Sequence, residues 1–168
     1  CVNLASENKK IYFGIDRLDT DTEKCENIVQ DMVLCPKCGT KLEYEYYRYH
    51  HVGKMKCPNC GFGTPKRDYE TTKIDFENKL VTIKDNDKNT EYSYSMVADG
   101  IINIYNMLSA IVALKQVGLS DEKINDALKK TKIVDTRFLQ DEIAGKKIVL
   151  HLAKGQNPIA CSRVFDYV

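Results

Sequence analysis

The 168-residue sequence has no internal repeat and no low-complexity tract. It lacks any apolar run approaching the ~18 residues a transmembrane helix needs, and no basic-then-apolar leader opens it. Charge of one sign is missing as well. Lys and Arg number 25 against 24 Asp and Glu, a formal net charge of +1, so no global field points to nucleic acid or a membrane surface. Nor is there an even, dispersed set of cysteines. The seven present stand at 1, 25, 35, 38, 57, 60 and 161, four of them bunched. That pattern argues against a secreted disulfide framework and for a reducing cytoplasm.

What is present suits a packed fold. The length accommodates one ordinary domain, or one and a fragment of another. Apolar residues make up 43% and charged residues 29%, enough for a core and a hydrated surface. The chain opens at Cys1 without Met and stops at Phe165-Asp-Tyr-Val168 within an apolar, helix-like stripe. Both ends read as cuts through a longer protein, with a lipoprotein matured at Cys1 as the alternative.

The most specific signal is Cys35-Pro-Lys-Cys38-Gly and Cys57-Pro-Asn-Cys60-Gly. Thiolates at i and i+3 of a tight turn can share one ion, and Zn²⁺ prefers four such ligands in a tetrahedron. Proline sets φ after the first ligand, and Gly39 and Gly61 relieve the backbone as it bends. Between the turns, Leu42, Tyr44 and Tyr46 alternate with Glu43, Glu45, Tyr47 and Tyr49 as on a strand. His50-His51-Val-Gly53 would reverse the chain. The expectation is a β-hairpin closed by a structural Zn²⁺ on Cys35, Cys38, Cys57 and Cys60, a zinc ribbon over about residues 33–68. With all four positions filled by protein, no coordination site remains for substrate, so catalysis at the metal is not expected. Seven basic residues (Lys37, Lys41, Arg48, Lys54, Lys56, Lys66, Arg67) face Glu43 and Glu45. With interleaved tyrosines these leave open a ribbon that binds nucleic acid or protein.

Elsewhere, Lys10–Ile15 reads as a strand, and Thr20-x-x-Glu23 as a capping box for a short helix through Ile28. Thr72–Phe76, Leu80–Lys84 and Glu91–Met96 read as three short strands with polar turns between them. Ile101, Ile104, Tyr105, Leu108, Ile111 and Val112 then follow a helical period ending at Val117-Gly118. Ser120 caps a second helix that reaches Lys130. A polar linker is expected over 133–145, then a strand Lys146–Leu152 containing His151 as a packed histidine, and a helix from Asn157-Pro158.

Gly100-Ile-Ile-Asn103-Ile-Tyr-Asn106, followed by a small-residue helix, resembles the helix signature of Mur ligases, Gly-x-x-Asn-x-x-Asn. Thr136-Arg137, then Gly145–Lys154 and Asn157-Pro158, resembles the passage from the central to the C-terminal domain of such ligases. With the four-cysteine insert the order is similar to the ligase-like subunits of lipid II isoglutaminyl synthases. The resemblance implies an α/β fold: a partial Mur-ligase central domain over 1–132 with the zinc-ribbon insertion, and the start of an α/β C-terminal domain at 146–168. It implies a ligase that uses ATP and Mg²⁺ to activate the D-glutamate α-carboxylate of lipid II. Ammonia would come from a GatD-like class I glutamine amidotransferase. Asn103 and Asn106 would contact adenine and Arg137 the nucleotide. Read without the resemblance, the two asparagines are a helix-start cap or exposed surface, and Arg137 is a solvated linker charge. The sequence departs from the family in lacking any Gly-x-x-x-x-Gly-Lys-Ser/Thr loop to cradle phosphates, and in an insertion at Lys154-Gly-Gln-Asn157. The 168 residues by themselves are therefore expected to be inactive. The competing reading is a stand-alone zinc-ribbon binding module.

Overall fold

The computed structural model describes residues 7–25, 30, 32–48, 52–132 and 138–151. Its centre is a four-stranded sheet in the order β1-β4-β5-β6, where β1 is Phe13–Ile15, β4 Tyr69–Asp75, β5 Leu80–Asp85 and β6 Thr90–Ser95. The last three form an antiparallel meander. Its turns come from polar side chains folding onto their own backbone. Asp75 Oδ1 accepts from the Asn78 amide at 2.9 Å, and Asp85 Oδ1 from the amides of Asp87 and Lys88 at 3.1 Å.

β1 pairs with β4 in parallel, Phe13 opposite Tyr69 and Ile15 opposite Thr71. The chain leaves the sheet after the Asp16 amide bonds Thr71 O (3.0 Å). It returns where Asp68 and Tyr69 donate to Tyr12 O. Between these points lies a hairpin, β2 (Glu43–Arg48) and β3 (Val52–Lys56). A bulge between Tyr44 and Tyr46 breaks the strict alternation expected here. As a result Tyr44 and Tyr47, read from sequence as facing opposite ways, stack with centroids 4.3 Å apart. Tyr46 and Arg48 are buried.

Two helices follow, α1 (Ile101–Gln116) and α2 (Asp121–Lys130), and α1 packs on β1 while α2 packs on β6. Their apolar stripes close one core over the sheet, built from Ile15, Val81, Ile83 and Tyr94 below and Ile104, Leu108, Ile111 and Ile124 above. Met107 joins this face, which is wider than the sequence stripe suggested. Asn125, only 9% exposed, accepts the Ser95 amide at 2.8 Å and fixes α2 to the sheet edge. Ser120 accepts the Lys123 amide, as its capping position predicts.

Two expectations change. Thr20 to Cys25 are not helical: Thr22 exchanges backbone hydrogen bonds with Tyr47 at 2.9 and 2.7 Å. The Asp21 carboxylate, between the two residues of the expected capping box, accepts from the Leu18 amide and from Arg48, which commits this segment to a turn and a buried pair. The rest of that segment, 26–28, lies outside the described residues. Within the expected linker, Phe138–Ile143 forms β7, paired antiparallel with β8, Lys146–His151, around Ala144-Gly145, both at positive φ. The helix expected from Asn157-Pro158 and the turn at His50-His51 also lie outside the described residues. Among the described residues, no helix is long and apolar enough to cross a membrane.

Candidate functional site

The two Cys-Pro-x-Cys-Gly turns have the same backbone. Cys35 N donates to Thr40 O (2.8 Å) and Gly39 N to Cys35 O (2.8 Å). Likewise Cys57 N donates to Phe62 O (2.6 Å) and Gly61 N to Cys57 O (3.1 Å). Gly39 and Gly61 sit at φ 72° and 71°, where a side chain would be strained. In each turn the first cysteine is buried and the second exposed. Leu42 packs with Cys35 and Cys57, and Met32, Tyr44, Met55 and Phe62 close around them.

The four Sγ atoms lie within 4.8 Å of one another. Cys35 to Cys60 is 3.6 Å and Cys38 to Cys57 is 3.5 Å. These separations are far longer than the ~2.05 Å of a disulfide. They match the edge of a tetrahedron of sulfurs around Zn²⁺ with bonds of ~2.3 Å, which is about 3.8 Å. The thiols stand in unequal electrostatic surroundings. The hydrogen bond with Thr40 draws Cys38 down to about 6. For Cys60 the Phe62 amide works downward, but the partial loss of water around the sulfur and the three neighbouring thiols win and push it up to about 12. Four thiolates side by side repel one another; a divalent cation removes that conflict. The donor set therefore fits a metal such as zinc.

The hairpin is joined to the sheet by Arg48, which in sequence counts only as one of the ribbon's basic residues. Its guanidinium lies over the Tyr46 ring, 5.4 Å from the centroid. Nε donates to Asp21 Oδ1 at 2.7 Å and Nη2 to Asp21 Oδ2 at 2.5 Å. Further bonds reach Ile15 O (3.1 Å), Asp16 O (2.7 Å) and Tyr105 Oη (2.8 Å). Burial opposes the charge, but Asp21 and Tyr105 outweigh it and keep Arg48 protonated. For Asp21, burial alone would raise the carboxyl; the hydrogen bonds from Arg48 and the Leu18 amide more than offset this and lower it. A single side chain thus ties the hairpin to the end of β1 and to α1. Asp21 and Tyr105 carried no sequence signal of this role, because their partner is 27 and 57 residues away.

Of the other expected site residues, Asn103 stands in the first turn of α1, its amide donating to Asp99 O at 2.6 Å. Asn106 follows one turn on and is exposed. Gly100 enters the helix at φ 92°, a conformation suited to glycine. Arg137 lies outside the described residues. The structure brings the four cysteines together and sets the asparagines apart from them on α1, where Tyr105, the partner of Arg48, lies between the two in sequence.

No protein-family model matches the chain. Among curated proteins it is similar to the MurT subunit of lipid II isoglutaminyl synthase (glutamine-hydrolyzing) of Streptococcus pneumoniae (strain ATCC BAA-255 / R6). They are 28% identical over 160 residues, 94% of this chain and 34% of that protein. The subunit of the same name from Staphylococcus aureus (strain COL) is 26% identical over 144 residues, 86% of this chain and 31% of that protein. Among solved structures, a pseudomurein peptide ligase type C from Methanothermus fervidus matches with TM-score 0.65 and 26% identity, covering 88% of this chain and 28% of that one. The chain spans about a third of the length of the curated relatives it matches. Over most of its own length, then, this four-cysteine fold is homologous to part of a MurT subunit.

Proposed function

We propose that this chain is a portion of a cytoplasmic cell-wall ligase, the subunit that amidates the D-glutamate α-carboxylate of lipid II to D-isoglutamine. One observation supports this reading above the others. The sequence likeness to MurT subunits extends over 94% of the chain, and the structural likeness to a peptide ligase extends over 88% of it. The chemistry is coherent. A carboxylate is a poor electrophile; transfer of the γ-phosphoryl group of ATP onto it, with Mg²⁺ balancing charge, gives an acyl phosphate and ADP. Ammonia attacks the acyl carbon, the C–O bond to phosphate breaks, and inorganic phosphate leaves with the amide formed. A GatD-like glutamine amidotransferase subunit supplies the ammonia.

In this reading Zn²⁺ on Cys35, Cys38, Cys57 and Cys60 is structural, holding the hairpin that Arg48 docks on the sheet. Asn106 is the better placed of the two asparagines for adenine, being exposed on α1, while the Asn103 amide is engaged by Asp99 O. Arg137 is assigned to the nucleotide by the resemblance to Mur ligases alone. The phosphate cradle belongs to a part of the protein outside these 168 residues. A stand-alone nucleic-acid module has less support: of the ribbon cations counted for it, Arg48 is buried and Arg67 is held by Glu70 at 2.5 Å.

The test is reconstitution of the full-length protein with its amidotransferase partner on lipid II, glutamine and ATP. Conversion of the stem-peptide carboxylate to a carboxamide, with matching ADP release, is expected. Unchanged lipid II would refute the reading. The 168-residue chain assayed alone should release no ADP, and turnover there would show that the phosphate cradle had been misplaced.

A further inference from the structure

Between the hairpin and the sheet lies a polar groove of about 600 Å³. It begins where β1 ends, since Asp16 and Arg17 directly follow Ile15, and its lining includes Glu70 of β4 and Lys84 of β5.

The charges of this groove do not cancel. Arg17, Lys54, Lys66, Arg67 and Lys84 line it against Asp16, Glu45 and Glu70. All three carboxylates are already engaged. Glu45 pairs with Lys54 at 2.8 Å, Glu70 with Arg67 at 2.5 Å, and Asp16 lies 3.8 Å from Arg67. Arg67 is further fixed by Tyr46 Oη at 3.0 Å, and its carbonyl by the Asn86 amide at 3.1 Å. Lys66 and Lys84 line the same groove without an ion-paired carboxylate among the described residues, as does Arg17, whose guanidinium lies over the Tyr46 ring at 5.8 Å and helps to lower the Asp21 carboxyl. In a chain of net charge +1, this is a local positive concavity with a preorganised wall.

We infer that this groove binds a phosphate-bearing ligand. Three such cations converging on one polar hollow call for more than one negative charge, which a diphosphate supplies and a single carboxylate does not. The shared chemistry has two sources, a lipid-linked phosphate or a free one. The lipid-linked assignment rests on the ligase reading above; the anion site itself does not.

The experiment uses the zinc-loaded full-length protein with its nucleotide site saturated by a non-hydrolysable ATP analogue. The probes are inorganic pyrophosphate and farnesyl diphosphate, followed by calorimetry. Lys66→Gln/Lys84→Gln keeps unbranched polar side chains and removes both charges. Lys73→Gln/Lys130→Gln, exposed elsewhere, controls for net charge. The first variant should bind pyrophosphate about tenfold more weakly, and binding by the wild type should weaken as salt is raised from low to physiological strength. The control variant should match the wild type. Equal pyrophosphate affinity in the first variant and the wild type overturns the site. Farnesyl diphosphate binding clearly tighter than pyrophosphate assigns the site to a lipid-linked phosphate; equal affinity overturns that assignment and leaves a site for free phosphate. Absence of any lipid II-dependent activity would sink the ligase reading, while the pyrophosphate comparison would still decide the groove.

Discussion

Replacing Arg48 with methionine tests how the hairpin is held. Methionine approximates the length of the side chain but has no charge and no donors. The native guanidinium is 7% exposed and its partner carboxylate on Asp21 is 1% exposed, so both groups are out of water. The substitution removes every hydrogen bond to Asp21, Ile15 O, Asp16 O and Tyr105 Oη. Asp21 retains the Leu18 amide at 2.9 Å. Breaking a buried pair by deleting one partner costs roughly 3–5 kcal/mol, mostly because the other charge is stranded. The lower half of that range is expected here, since one donor to Asp21 survives.

The pH dependence sharpens the test. With Arg48 present, the Asp21 carboxyl is held below its ordinary value, so its contribution is complete above about pH 4 and is lost as pH falls through the lowered native value. In the Arg48→Met variant the stranded carboxyl is raised instead, and protonation relieves it. The stability gap between the two proteins should therefore be full at pH 7 and narrow on acidification below about pH 5. Urea unfolding of the zinc-loaded chain, followed by circular dichroism across pH, measures this directly. A companion Asp21→Asn change in the Arg48→Met background should cost less than the two single losses added, with a coupling of about 1–3 kcal/mol. A gap under about 1 kcal/mol at neutral pH, or one that does not change with pH, would refute the account.

Elemental analysis should find about one Zn per chain, and Cys57→Ser/Cys60→Ser should abolish it; unchanged metal content would defeat the ribbon assignment. Chelation of the native chain should loosen residues 33–68 before the helices melt, seen as early amide exchange in that segment, whereas simultaneous loss of all signals would contradict this order. Gly53→Ala should destabilise the hairpin by at least ~2 kcal/mol, because the new Cβ would sit 1.9 Å from Tyr46 O, a backbone atom with nowhere to move. Gly39→Ala meets nothing within 4 Å and suffers only its positive φ, about 1 kcal/mol. Thermal melts that rank the two substitutions the other way would show the hairpin to be more open than this packing requires.

Much of the architecture could be read from short-range pattern. The two cysteine turns are complete within six residues each, so spacing alone set their backbone and brought ligands into pairs. The meander declared itself through alternating residues and the polar turns at Glu77-Asn78 and Asp85–Asn89, and α1 through its apolar period. These features depend on contacts a few residues apart, where sequence and geometry are nearly the same thing. The Ala144-Gly145 turn could have marked the β7–β8 hairpin, but the polar composition around it reads equally as linker. Thr20-x-x-Glu23 failed as a capping box because Asp21 found a distant partner that outweighed a local helix.

Arg48 and Arg67 show where sequence reasoning stops. In sequence they count as two more surface cations on a basic ribbon. In the fold one is buried against Asp21 and the other is braced by Glu70 and Tyr46. The cysteine turns, the meander and the helix periods were determined by the sequence itself, through interactions that span a turn or two. The parallel closure of β1 on β4 across the inserted hairpin, the burial of Arg48 and the positive groove beside it were decided only by tertiary structure. Whether a charge is paired or free depends on which distant groups share its loss of water, and that is a property of the packed fold.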